Sequence, residues 1–296
     1  MSAQRSGMLY AFLAYTCWGL FPLYFKRLVG VDALEVIAHR TLWSLVFVML
    51  VLAGLRRWAW LKPVLRKPRL LGACALSALL LACNWLVYVW AVQNDHVLEA
   101  SLGYFINPLV NVALGFVFLH ERPRPMQWLA VGLAAGGVLW LAVGTGHVPW
   151  IAIVLALSFG FYGLMRKTAA LGALEGLAIE TLALAPLAAG ALLVWSFAGS
   201  SALVRGDGTL TLWLLAAGPL TAVPLLLFAA GARRITLTTL GLMQYIGPTI
   251  QFVLGVWLYK EPLTPARLVG FALIWSALAI YSLEGLWRSR RPINCA

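Results

Sequence analysis

Glu35, His39 and Arg40 stand in ALEVIAHRTLWS (33–44), a stretch that runs directly into LVFVMLVLAG. A carboxylate and an imidazole four residues apart share a helical face and can exchange a hydrogen bond or a proton. A guanidinium set inside an apolar run can grip a carboxylate bidentately. A Glu-x-x-x-His pair is half of a metal site, but no further ligands stand at metal spacing, so no metal and no cofactor are expected. A second set consists of amides. Tyr104, Asn107, Pro108, Asn111 and Gly115 fall on one helical face, and Gln244, Gly247, Pro248, Gln251 and Gly255 repeat that pattern. Asn84 and Tyr88, with Trp85 alongside, make a third. Amides among aromatics bind a partly apolar solute and orient it through a few polar groups. The chain has no His-Glu-x-x-His or Gly-x-Ser-x-Gly, and none of its four histidines shares a helix with another.

The elements that carry these groups follow from composition. Hydrophobic residues make up 62% of the 296, charged residues only 11%, and mean hydropathy is +0.88. Soluble domains carry roughly 25% charged residues, so this chain lacks a polar shell and reads as an all-α, multi-pass membrane protein. Ten candidate spans lie near 7–25, 34–54, 70–92, 98–119, 125–143, 148–166, 174–197, 209–231, 237–258 and 265–286. The first, with Trp18 and Pro22, is read as a membrane helix rather than a signal segment. Counted by alternate loops, 16 Lys and Arg fall on the side of the N-terminus and 5 on the other. That asymmetry predicts cytoplasmic termini, and the +12 net charge calls for no nucleic-acid partner. Cys17, Cys74, Cys83 and Cys295 show no paired spacing and indicate no disulfide framework.

The chain also repeats itself. A shift of 140 lays ALEVIAHRTL (33–42) over ALEGLAIETL (173–182), and SLGYFINPLVNVALGFVFLHERPRP (101–125) over GLMQYIGPTIQFVLGVWLYKEPLTP (241–265). A shift of 141 lays WGLFPLYFK (18–26) over FGFYGLMRK (159–167). The repeats are placed at 7–143 and 148–286, each with five spans. An odd number makes the second half cross in the opposite sense, which is the inverted-repeat signature of secondary transporters.

Two five-helix repeats, the N-terminal GMLYAFLAYTCWGLFPLYFK, the stretch HRTLWS, the pair Asn84–Trp85 and the repeat ends HERP and YKEP resemble the drug/metabolite transporter superfamily. Within it the chain is similar to EamA-type permeases, most of all the bacterial RarD proteins, over about 7 to 286. That resemblance implies a bacterial inner-membrane exporter working by alternating access around a central cavity, with the fifth and tenth helices outside it. The RarD name is linked to chloramphenicol handling and fixes no physiological substrate.

Particular residues then take expected roles. Arg40 lies about 10 Å into the membrane at 1.5 Å per residue, where a charge costs about 2.5–3.5 kcal/mol. It is expected to hold an anionic solute group or an outer gate, with snorkelling to the interface as the structural alternative. Glu180, its repeat equivalent, is expected as an inner gate or proton site, apart from Arg40. Asn84, Tyr88, Tyr104, Asn107, Asn111, Gln244 and Gln251 are expected to line the solute path; interhelical hydrogen bonding is the alternative. Trp18, Tyr162 and His39 are read as gate or proton-site residues, with interfacial anchoring the alternative for the two aromatics. Glu35 and its counterpart Glu175 are expected beside water, with His39 in contact with Glu35. Gly132 and Gly136, like Ala272 and Ser276, suit close packing between repeats or a homodimer surface. A membrane-embedded enzyme or a passive channel is the rival class, and neither catalytic motifs nor a filter repeat supports it. The expected partners are a small amphipathic or zwitterionic solute and the lipid bilayer.

Overall fold

In hydrocarbon every backbone polar group must be satisfied within the protein, so long apolar runs become helices. The computed structural model describes residues 3–28, 30–56, 58–93, 96–143, 149–204, 208–258 and 265–289. The first half contains α1 (Ala3–Gly19), α2 (Phe21–Phe25), a 3-10 turn (Lys26–Leu28), α3 (Ala33–Gly54), α4 (Leu61–Leu65), α5 (Pro68–Gln93), α6 (Val97–Leu119) and α7 (Pro125–Val143). The second contains α8 (Trp150–Thr168), α9 (Ala173–Phe197), α10 (Gly208–Ala232), α11 (Leu237–Gln244), α12 (Ile246–Val253), a π-helical turn (Leu254–Leu258) and α13 (Pro265–Ser289). No strand occurs among the described residues.

Local chemistry sets the helix ends. The Asp32 carboxylate caps α3 by accepting from the Leu34 N–H at 2.8 Å. Pro68, Pro125 and Pro265 open α5, α7 and α13, where a missing N–H removes no helical bond. Eight helical stretches among the described residues are long and apolar enough to cross a membrane, and α13 adds a shorter apolar stretch, Leu268–Tyr281. The expected ninth span is not one continuous helix. Pro248 has no N–H to donate to the carbonyl four residues back, that of Gln244, and its ring crowds that carbonyl; α11 stops there and α12 restarts after Tyr245.

The distribution of polarity is that of a protein dissolved in lipid. Phe197, Val143 and Trp257 are 89%, 78% and 77% exposed, whereas Asn111, Glu180 and Arg166 are 0%, 2% and 3% exposed. The protein is therefore a multi-pass membrane protein with its polar groups turned inward. α1 packs on α10, α11 and α12, while α8 packs on α5 and α6. α3 lies against α9 and α10, α9 also meets α5, α6 meets α11, and α7 meets α13. Of the two roles expected for the small residues, packing between the repeats needs one correction. A Cβ at Gly132 or Gly136 would meet open space, whereas one at Gly137 would lie 2.9 Å from the Gly270 carbonyl oxygen of α13. Gly137 is thus the close-approach residue between α7 and α13. Residues of the repeat end YKEP (259–262) and Cys295 lie outside the described residues.

Candidate solute-binding site

Arg40 sits one third of the way along α3 and is 5% exposed. Its Nε donates to Thr221 Oγ1 of α10 at 2.8 Å. The guanidinium carbon lies over the Trp85 ring of α5, 3.5 Å from the centroid, an arrangement favoured by the ring quadrupole. Trp85 meets Tyr88 edge-on, and Tyr88 meets Tyr104 of α6, each with centroids 5.8 Å apart. Among the described residues no carboxylate forms an ion pair with Arg40. Thr221 takes Nε and Trp85 covers one face, which leaves the paired terminal nitrogens as the donors for an oxyanion. The guanidinium points between helices rather than outward to the interface.

The amides also gather. Asn111 Nδ2 donates to Asn107 Oδ1 at 3.0 Å and to Gln244 Oε1 of α11 at 3.1 Å. The helices come this close because position 241 is glycine: a Cβ there would lie 2.6 Å from the Pro108 carbonyl oxygen. Asn111 Oδ1 is buried without a partner. Gln251 Nε2 donates to the Trp18 carbonyl of α1 at 3.2 Å. Asn84 is placed differently from the aromatic ladder: its Nδ2 donates to the Leu155 carbonyl at 2.9 Å and to Ser158 Oγ at 3.0 Å, both on α8. Its amide hydrogens are occupied by helix–helix bonds.

Glu180 lies apart from Arg40, in a second polar cluster. Its carboxylate accepts from Ser77 Oγ at 2.7 Å, from Tyr162 Oη at 3.4 Å and from Arg166 at 3.3 Å. Arg166 also donates to the Ala173 carbonyl at 2.8 Å, and its Nε is buried without a partner. The pair lines a cleft of about 370 Å³ between α5, α8 and α9, together with Arg69, Cys74 and Ser77. Tyr162 is 1% exposed, so it is a core residue rather than an interfacial anchor. It stacks on Phe228, and Trp18 joins the same aromatic group with Tyr15 and Phe159. Tyr162 ties this aromatic group to the cleft through its contact with Glu180.

Glu35 departs from expectation. Rather than meeting water it is 2% exposed and accepts from Ser201 Oγ at 2.8 Å and the Ala202 N–H at 2.7 Å. Asp32 has taken the capping role, which frees Glu35 to anchor the segment between α9 and α10. Glu175 is buried as well, at 5%. His39 Nδ1 accepts from Trp43 Nε1 at 3.2 Å, so the imidazole proton belongs on Nε2, 3.8 Å from Glu35 Oε1 and beyond hydrogen-bond reach. Arg166, Ser77 and Thr221 were not legible as site residues. Arg166 reads as one more loop cation near a helix end, and hydroxyls of this kind declare themselves only through their tertiary partners. No group of three or more metal-ligating side chains occurs among the described residues.

Residues 5–143 match the model of the EamA-like transporter family. The chain is 48% identical to "Protein RarD" of Streptomyces exfoliatus over 97% of this chain and 91% of that one. It is 47% identical to an "Uncharacterized transporter" of Pseudomonas aeruginosa over 98% and 97% of the two chains. A solved crystal structure with 23% identity superposes with a TM-score of 0.72, covering 94% of this chain and 98% of that one, and shares the fold.

Proposed function

The chain belongs to the EamA-type, RarD-like permeases, and from that premise we propose that it is a secondary active transporter rather than an enzyme. It moves a small amphipathic or zwitterionic metabolite or drug across the bacterial inner membrane by alternating access, driven by protons or by exchange. The observation that carries this reading is Arg40: a buried guanidinium, held by α3, α5 and α10, with no protein counter-charge among the described residues. A charge kept in that position is a functional group by default. The solute supplies the missing anion, bound by the terminal nitrogens beside Tyr88 and Tyr104.

The architecture is read as ten spans in two inverted repeats, 7–143 and 148–286, with α11 and α12 together forming the ninth. Helix pairing supports this reading. Exchanging α1 with α8, α3 with α9, α5 with α10, α6 with α11–α12 and α7 with α13 maps the main packed pairs onto one another, and only α8–α10 has no counterpart among them. Both termini face the cytoplasm, on the charge asymmetry described above. Glu180 is the gate or proton site of the cytoplasmic half, and Trp18, Tyr162 and His39 accompany the gates. Gln251, Asn107, Asn111 and Gln244 line the path where the repeats meet.

Counterflow in proteoliposomes tests the function. A preloaded solute should drive uptake of its labelled form, and a protonophore should collapse uphill uptake. Chemical conversion of solute without movement would instead support an enzyme. Cysteine accessibility in whole cells tests the orientation: Ser200→Cys should react with an impermeant maleimide and Arg66→Cys should not. The opposite pattern would reverse the topology.

A further inference from the structure

The cleft beside Arg166 lies well away from Arg40, and four features of its wall point to one ligand chemistry. Arg166 lines it while 3% exposed, and its Nε has no partner. A guanidinium in this state has donor capacity left after Glu180 and Ala173 are served. Glu180 does not depend on Arg166 alone, because Ser77 donates to it at 2.7 Å and the Tyr162 hydroxyl lies at 3.4 Å. The mouth is basic: a shallow groove lined by Arg66, Lys67 and Arg69 shares Arg69 and Leu70 with the cleft. Cations around a low-dielectric cleft raise the local concentration of anions. Apart from Thr168, whose hydroxyl donates to the Leu164 carbonyl at 3.0 Å, the remaining lining is apolar, with Leu70, Ala73, Met165 and Leu171 among it.

We propose that this cleft is a binding station for an organic carboxylate with an apolar tail. The carboxylate pairs with Arg166, the tail lies on the apolar wall, and Glu180 is retained by the Ser77 and Tyr162 hydroxyls. The proposal rests on the transporter reading and deepens it, because it gives the path two arginines. Ser77 and Trp85 are eight residues apart on α5, roughly 12 Å at 1.5 Å per residue. Arg166 therefore receives the anionic group on the side of the basic loop, and Arg40 receives it beside Trp85, further along α5.

Cys74 lines the same cleft and serves as the reporter. With Cys17→Ala, Cys83→Ala and Cys295→Ala in place, purified full-length protein in lipid nanodiscs is alkylated with N-ethylmaleimide. Hexanoate at about 20 mM should slow Cys74 alkylation about threefold, the protection given by a ligand present at twice its Kd. Hexanamide, neutral and of the same shape, should leave the rate nearly unchanged. The doubly neutral Arg166→Gln/Glu180→Gln protein should lose the hexanoate effect. Equal protection by hexanamide, no protection by hexanoate, or protection that survives the double substitution would overturn the proposal. The hexanoate–hexanamide comparison decides even if the double substitution does not fold. Solute flux without hexanoate protection would remove this station and leave the transporter. Protection without flux of any solute would remove the transporter and leave a carboxylate site.

Discussion

Arg40 and Arg166 are buried to nearly the same degree, 5% and 3% exposed, yet their surroundings differ in kind. Arg166 meets a carboxylate, which itself accepts from two hydroxyls, so the charges there balance. Arg40 meets a threonine hydroxyl and an indole face, and no charge among the described residues balances it. A balanced pair can persist without a ligand. An unbalanced cation in an apolar interior raises the energy of the empty protein, and that cost is recovered only when an anion arrives. The difference separates a cation whose charge the protein itself balances, and which can stand with or without a ligand, from one that favours a bound anion.

Stability should register this contrast most strongly. Arg166→Gln strands the Glu180 carboxylate and should destabilise the protein by about 3–5 kcal/mol, the range for breaking one side of a buried pair. Arg40→Gln removes a charge that no group among the described residues balances and should be neutral or stabilising. Arg166→Gln/Glu180→Gln should recover most of the single-variant loss, since neutral amides leave no stranded charge. Thermal unfolding of the detergent-solubilised proteins, followed by size-exclusion chromatography, measures all three. If Arg40→Gln proves as damaging as Arg166→Gln, Arg40 has a structural counter-charge.

Smaller effects sharpen the comparison. Asn111→Leu removes two hydrogen bonds, to Asn107 and Gln244, and should cost about 1–2 kcal/mol at roughly 1 kcal/mol per bond. It should also slow transport; a loss of folded protein that accounts for all of the lost flux would make the amide cluster helix glue alone. Asn84→Leu should likewise lower stability by about 1 kcal/mol through its lost bonds to α8, with solute affinity unchanged. A fall in affinity without a fall in stability would return Asn84 to the solute path.

Much of this organisation was legible in the sequence, and the exceptions have physical causes. The apolar runs located the helices, because a membrane leaves the backbone few other choices. Amide spacing on one face pointed to Asn107, Asn111 and Gln244, and α6 and α11 do bring these together. Glu35 was misread because proximity to a helix N-terminus suggests water, yet Asp32 lies nearer the end and does the capping. Arg166 was hidden by its position beside Lys167 and the following loop, and the repeat alignment sets it against Phe25, which gives no warning of charge. Its importance comes from Glu180 on the next helix and from Ser77 three helices earlier, contacts that no local spacing announces. Thr221 was invisible for a similar reason: a lone threonine between Pro219 and Pro224 carries no chemical signal until Arg40 reaches it from α3.

The most direct test of the central claim is the Arg40→Lys flux ratio in proteoliposomes. Two solutes of matched shape are required, one bearing a carboxylate and the other its neutral amide. Lysine keeps the charge but loses the planar fork that binds a carboxylate through two parallel bonds. The substitution should weaken carboxylate transport by about tenfold, equivalent to roughly 1.4 kcal/mol, and change amide transport less than twofold on the same scale. Equal slowing of both solutes would contradict the account and place Arg40 in a gate or a structural contact instead.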